Sequence, residues 1–162
     1  MTSSIDIPTV PLAGDVSIPQ FGLGVFQVPP EETTENVLRA IEAGYRHVDT
    51  AKAYENEAQV GQAIRASGLE RSEFFVTTKC FNDDHGYDSA TRALKTSLGQ
   101  LEMEHVDLYL IHWPVPSQDR YVETWQALSR RSRPVSPAPS ASRTSSPRTC
   151  GGSSTRRASP RR

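Results

Sequence analysis

Three side chains that can hold charge or move protons stand at nearly equal spacing along the chain. Asp49, Lys79 and His112 are 30 and 33 positions apart, and each follows a short run rich in β-branched and aromatic residues. A carboxylate, an ammonium and an imidazole are groups that enzymes use in proton transfer. Any one of them could simply begin a polar loop, but three in register with complementary charges favour a shared site. In a barrel of parallel βα repeats that site lies at the carboxyl ends of the strands.

The elements that position these residues alternate in the manner of successive βα units. Short β-rich runs are followed by amphipathic stretches, a pattern typical of a parallel sheet covered by helices, and a short turn at 13–15 predicts an initial hairpin. Gly44 and Gly68 are placed to end the first two helices, and Asp88 is predicted to be the N-cap of the third. The predicted strands are 9–12, 16–18, 21–23, 45–48, 74–78 and 106–111, and the predicted helices are 33–43, 57–66, 88–99 and a fourth beginning at 122–128.

The composition divides the chain into two segments. All 19 acidic residues fall in 1–128 together with nine basic ones, whereas 129–162 has nine arginines and no acidic residue. The second segment also has ten serines, five prolines and Val135 as its one large aliphatic residue. Such a segment buries too little apolar surface to offset the loss of chain entropy. The sequence therefore predicts one folded domain over 1–128 and a disordered tail over 129–162.

Ordered motifs mark the ends of three of the predicted strands. They are 44–51 followed by Tyr54, Asn56 and Glu57; then 76–79; and then 107–114. These motifs resemble those of the aldo-keto reductase family, with bacterial 2,5-diketogluconate reductases as the nearest type. The resemblance covers 1–128 and implies an α/β fold, a partial (β/α)8 TIM barrel made of the N-terminal hairpin and about the first four βα units.

The resemblance also implies a chemistry, the reduction of aldehydes or ketones by NADPH or NADH. Hydride arriving at a carbonyl carbon builds negative charge on the oxygen, so a proton donor is needed there. By analogy with the family, Tyr54 is that donor and Lys79 is the cation that assists it. Asp49 holds and partly balances Lys79, and His112 orients the carbonyl oxygen.

Further residues are assigned by the resemblance to the substrate and the cofactor. Phe26, Phe81, His112 and Trp113 would line the substrate pocket, although aromatic residues at these positions could equally belong to the core. The cofactor contacts carried over are Gly24, Val25, Phe26 and Asp49. Next to the proton donor, Lys52 and Glu55 stand where small residues are common in the family, so a charge pair flanks Tyr54.

The abrupt change after Leu128 predicts a shift of reading frame near that residue. Members of the family have eight βα units, of which about three and a half can be read here. The first and last parallel strands would then lack partners, which favours self-association through the barrel edges. Most of the cofactor contacts in the family come from later strands, so this chain is expected to bind NADPH weakly and to need the second half for activity.

Other classes of protein fit the sequence less well. Gly22 and Gly24 do not complete a dinucleotide-binding fingerprint, and no P-loop is present. Two pairs, Cys80 with His85 and His105 with His112, lack further ligands at a zinc spacing, so we expect no metal. No apolar run reaches the length of a membrane span, and a cytoplasmic protein is the default.

Two alternative functions stay open at this stage. The arginine-rich tail could make the chain a non-catalytic fragment that binds nucleic acid or an acidic partner, but it has no lysine or aromatic residue, and we do not expect nucleic-acid binding. A lyase or isomerase assembled from two chains would also use Asp49 and Lys79. The sequence therefore favours a soluble reductase acting on a small carbonyl compound.

Overall fold

The computed structural model describes residues 7–14 and 16–131, with side chains as far as residue 129. Nearly all of the predicted tail, and with it the prediction of disorder, lies outside the described residues. An antiparallel hairpin comes first, formed by β1 (Thr9–Pro11) and β2 (Ser17–Pro19). A separate four-stranded sheet follows, and its strands are parallel and arranged in chain order.

A helix follows each strand of the parallel sheet, which confirms the predicted α/β alternation. The sheet contains β3 (Leu23–Gly24), β4 (His47–Asp49), β5 (Phe75–Cys80) and β6 (Leu108–Ile111). The helices are α1 (Pro30–Glu42), α2 (Glu57–Ala66), α3 (Tyr87–Leu101) and α4 (Tyr121–Arg131). No helix in the described part of the chain has the length and apolar character required to cross a bilayer.

The core forms where the helices pack on the sheet. Val37 and Ile41 of α1 and Val60 and Ile64 of α2 pack in one cluster with residues of β4 and β5. A second cluster joins Cys80 of β5 to alanines of α3 and α4. The amphipathic stretches predicted for the first two helices therefore place their apolar residues in the core.

Five of the six predicted strand ends are wrong by one or two residues, and two of these errors concern candidate site residues. Asp49 is the last residue of β4 and Lys79 lies within β5, whereas both were predicted to follow their strands. β4 and β5 extend to these residues because they pair there with neighbouring strands. Gly24 is opposite Asp49, and Lys79 is opposite Leu110. These two side chains therefore stand on regular backbone, which fixes their directions better than a loop would.

Several helix boundaries also differ from the predictions, among them the end of the third helix, which runs to Leu101 and not to 99. The first helix begins at Pro30, because proline is tolerated at a first helical position where the N–H has no partner in the helix. Gly86 (φ 118°), not Asp88, precedes the third helix, and its amide donates to Thr124 Oγ1 at 2.8 Å. The fourth helix reaches Arg131, so it runs past the predicted boundary at 128.

Glycines end the first two helices as predicted, with φ 102° at Gly44 and 73° at Gly68.

Candidate active site

The ammonium of Lys79 connects the residues at the carboxyl edge of the sheet. Its Nζ donates to Asp49 Oδ1 at 2.5 Å, to the Thr50 carbonyl at 2.9 Å and to the Tyr54 hydroxyl at 3.3 Å. An ammonium has three N–H donors, so each one has a partner here. The Lys79 side chain is only 13% exposed. The neighbouring carboxylate and the fixed acceptors therefore hold the positive charge at one place, beside the phenol.

Tyr54 is oriented for the release of its proton. Because its oxygen accepts a hydrogen bond from Lys79, its own O–H hydrogen is not used in that bond. Lys79 Nζ also lies 4.9 Å from the centre of the Tyr54 ring. A cation this close stabilises the negative charge left on the phenol oxygen when the proton departs. The arrangement can thus supply a proton to an acceptor on the open side of the ring.

Asn56, for which the sequence suggested no role, anchors the segment that carries Tyr54. Its side chain is fully buried, and its Oδ1 accepts a hydrogen bond from Thr50 Oγ1 at 2.9 Å. Its Nδ2 donates to the carbonyls of Val25 and Val28 at 3.0 and 3.1 Å. The side-chain amide of Asn56 therefore joins three loop segments at the carboxyl edge of the sheet. The sequence feature that could have indicated this role is a polar residue two positions after Tyr54, directly before a predicted helix.

His112 follows β6, and its ring lies next to Tyr54 at the carboxyl edge of the sheet. Its ring lies edge-on to Tyr54 with 5.8 Å between centroids. Burial lowers the pKa of His112, the charge of Lys79 lowers it further, and Asp49 opposes both effects. The imidazole is therefore neutral near pH 7 and has one N–H to offer. A neutral ring can orient a carbonyl oxygen while leaving proton donation to the phenol.

The predicted substrate residues surround this space. Phe26 contacts Tyr54 at 5.1 Å between centroids, Phe81 lies 6.1 Å from His112, and Trp113 stacks on His112 at 6.3 Å. Phe26 and Trp113 are 63% and 62% exposed, so neither is an ordinary core residue. The structure thus brings together all four predicted catalytic residues and these three aromatic rings.

The residues predicted to contact the cofactor fall into two groups. Gly24 is exposed, and a Cβ built there meets no atom within 4 Å, so open space borders the strand end beside Asp49. Val25 is buried; its amide donates to the Asp49 carbonyl and its own carbonyl accepts from Asn56. Because it is buried, Val25 could contact the cofactor only indirectly. These cofactor assignments stay predictions.

Histidines with lowered pKa values make the fold sensitive to acid. Burial is the largest cause of the lowered pKa at His47, His85 and His112, and at His85 the charge of Arg120 adds to it. Unfolded histidines titrate at about pH 6.5, so below that pH the unfolded chain binds more protons than the folded one. We therefore expect the free energy of unfolding to fall as the pH is lowered from about 7 to about 5.

Denaturant titrations across this pH range provide the measurement. His85 is 1% exposed and neither of its ring nitrogens has a hydrogen-bond partner among the described residues, so His85→Leu should reduce the pH dependence. His105 is exposed, and His105→Asn is the matched control. An unfolding free energy that rises towards pH 5 would contradict this assignment of the buried histidines.

Comparison with known proteins identifies the family of the chain. The model of the aldo/keto reductase family matches residues 19–132, which include all four predicted catalytic residues. The chain belongs to the aldo/keto reductase family. An aldo-keto reductase of Mycobacterium sp. (strain KMS) is 51% identical over 123 residues, covering 76% of this chain and 45% of that protein. The chain thus spans about half the length of the curated relatives it matches.

Solved structures of aldo/keto reductases confirm the fold. The enzyme from Brucella melitensis is 50% identical and superposes with a TM-score of 0.74, over 76% of this chain and 47% of the other. An aldo-keto reductase of Bombyx mori in complex with NADP is 40% identical and has a TM-score of 0.71, over 78% and 47% of the two chains. The sequence-based prediction of family and fold is therefore confirmed.

Proposed function

We propose that residues 1–128 provide the proton-donating part of a reductase site that converts aldehydes or ketones to alcohols with NADPH or NADH. The observation that carries the proposal is the contact of one ammonium, that of Lys79, with both the Asp49 carboxylate and the Tyr54 hydroxyl. Membership of the aldo/keto reductase family and the NADP complex of the Bombyx mori relative support the same chemistry.

The residues of this chain would act on the carbonyl oxygen. A reduced nicotinamide, when bound, supplies the hydride that reaches the carbonyl carbon. Tyr54 donates its proton to the oxygen as negative charge develops there, and Lys79 stabilises the phenolate that remains. His112 donates a hydrogen bond that holds the oxygen near Tyr54. Asp49 keeps Lys79 in place and compensates its charge in the absence of substrate.

Exposed aromatic rings and an open strand end lie near Tyr54, a combination that suits a flat cofactor ring and a small organic substrate. Phe26 and Trp113 expose aromatic rings at the carboxyl edge of the sheet. No atom lies within 4 Å of a Cβ built at Gly24. Apolar rings exclude water from a reacting carbonyl and favour small organic substrates over strongly charged ones. Phe26, Phe81 and Trp113 are therefore proposed as the substrate wall, with Gly24 and Asp49 bordering the cofactor.

The full chain and a chimera test this proposal. In the chimera, residues 1–128 continue into the second half of the Mycobacterium relative. We expect the chimera to consume NADPH in the presence of a small aldehyde, followed at the nicotinamide absorbance band. The full chain should bind NADPH weakly, since later strands supply most cofactor contacts in the family. A chimera that is folded and binds NADPH but reduces no aldehyde or ketone would contradict the proposal.

We also propose that the open edges of the sheet favour self-association. Within the described residues, β3 and β6 each pair on one side only, and Leu110 of β6 is 39% exposed. Unpaired backbone groups at such an edge are free to pair with another strand. The sedimentation coefficient of the chain should therefore rise with protein concentration, and a concentration-independent monomer would contradict this proposal.

A further inference from the structure

The short turn that carries Tyr54 contains an unfavourable backbone conformation. The turn spans Lys52–Tyr54, and the next residue, Glu55, has a φ of 56° and a ψ of 22°. This left-handed region is costly for a residue other than glycine, and it persists where other contacts hold the backbone. The amides of Tyr54 and Glu55 donate back to the carbonyls of Ala51 and Lys52 at 2.9 and 3.2 Å. A contact from outside the turn would stabilise this arrangement further.

Lys52 makes such a contact. Its Nζ lies 2.5 Å from Asp84 Oδ2, across 32 positions of sequence. Asp84 ends a second short turn, Asn82–Asp84, which directly follows β5 and Phe81. The ion pair therefore joins the turn of Tyr54 to the segment that leaves the strand of Lys79.

The structure distinguishes this arrangement from a local charge pair. Glu55 is exposed and takes part in no ion pair among the side chains of residues 7–14 and 16–129. The side chains of Lys52 and Asp84 are 38% and 19% exposed, less than the 70% and 68% of the surface pair Arg39 and Glu35. Partial burial reduces solvent screening, so Lys52 and Asp84 are coupled more strongly than an ordinary surface pair.

We propose that Lys52 is a positioning residue whose ion pair with Asp84 holds the Tyr54 turn against the strand of Lys79. The bond from Lys79 to the Tyr54 hydroxyl is 3.3 Å long, near the upper limit for a hydrogen bond, so a small displacement of the turn would remove it. The catalytic consequence of this inference rests on the proposed reductase function. Its structural part, the restraint of the turn, does not.

Hydrogen exchange in the full chain tests the structural part. In Lys52→Ala and in Asp84→Ala, the amides of Tyr54 and Glu55 should exchange roughly fivefold faster than in the unaltered chain, because the turn opens more often. The reversed pair, Lys52→Asp with Asp84→Lys, should restore slow exchange. Arg39→Ala, which removes the exposed pair with Glu35, is the matched control and should leave both amides unchanged. Equal exchange in all variants would overturn the proposal.

The catalytic part is tested by the same variants in the chimera. We expect kcat to fall roughly fivefold in each single variant, with KM for NADPH unchanged and with recovery in the reversed pair. A loss that appears only in KM, or no loss at all, would overturn the positioning role. If the unaltered chimera reduces no carbonyl compound, the proposed function fails, and hydrogen exchange still decides whether the ion pair holds the turn.

Discussion

Replacing Tyr54 by phenylalanine in the chimera should lower kcat for aldehyde reduction roughly a thousandfold, the middle of the range for loss of a general acid. The change removes the hydroxyl that accepts the Lys79 hydrogen bond and keeps the ring that contacts Phe26 and His112. NADPH affinity should stay the same, because the lost group acts on the substrate oxygen. Steady-state kinetics and a fluorescence titration with NADPH measure the two quantities.

Tyr121→Phe is the matched control for that substitution. Tyr121 begins α4 and is 37% exposed, so the loss of its hydroxyl should leave kcat within about twofold. A Tyr54→Phe protein that keeps most of its kcat would show that the proton reaches the product oxygen from another group, such as His112 or water. The role given to Lys79 would then have no basis.

Replacing Gly61 by alanine should destabilise the fold by about 3 kcal/mol, the upper part of the range for overpacking. An added Cβ would lie 2.1 Å from the Leu101 carbonyl oxygen and 2.7 Å from its carbon, so α2 and α3 would have to move apart. The same oxygen accepts a hydrogen bond from Arg65 Nη1 at 2.8 Å, which the movement would also disturb. Urea unfolding of the full chain gives the difference in free energy.

Gly99→Ala provides a control of the opposite sign. Gly99 lies in α3, is exposed, and has no atom within 4 Å of the position of an added Cβ. Alanine should therefore stabilise this helix by about 0.5–1 kcal/mol, the ordinary difference from glycine. If both substitutions stabilise the chain, the close approach of α2 to α3 at Gly61 is wrong.

The sequence predicted which candidate residues lie together where a local pattern encodes their positions. The register of Asp49, Lys79 and His112 follows from the period of the βα repeat, and the structure brings all three to one edge with Tyr54. Glycines ended the first two helices as predicted, since the left-handed conformation at Gly44 and Gly68 is a local property.

Features that depend on distant partners were not predictable in this way. The ion pair of Lys52 and Asp84 spans 32 positions, whereas the sequence indicated only a charge pair of Lys52 and Glu55 flanking Tyr54. The N-cap at Gly86 depends on Thr124, which belongs to another helix. The roles of Asn56 and Thr50 at the carboxyl edge of the sheet follow from hydrogen bonds across three loops.

The most direct test of carbonyl reduction at this site uses NADPH deuterated at the transferable hydride. The chimera should place that deuterium on the former carbonyl carbon of the alcohol product, while the hydroxyl hydrogen comes from Tyr54 and exchanges with solvent. Mass spectrometry of the product shows this directly. An isomerised or cleaved product formed without NADPH consumption, or an alcohol without deuterium on that carbon, would contradict the account.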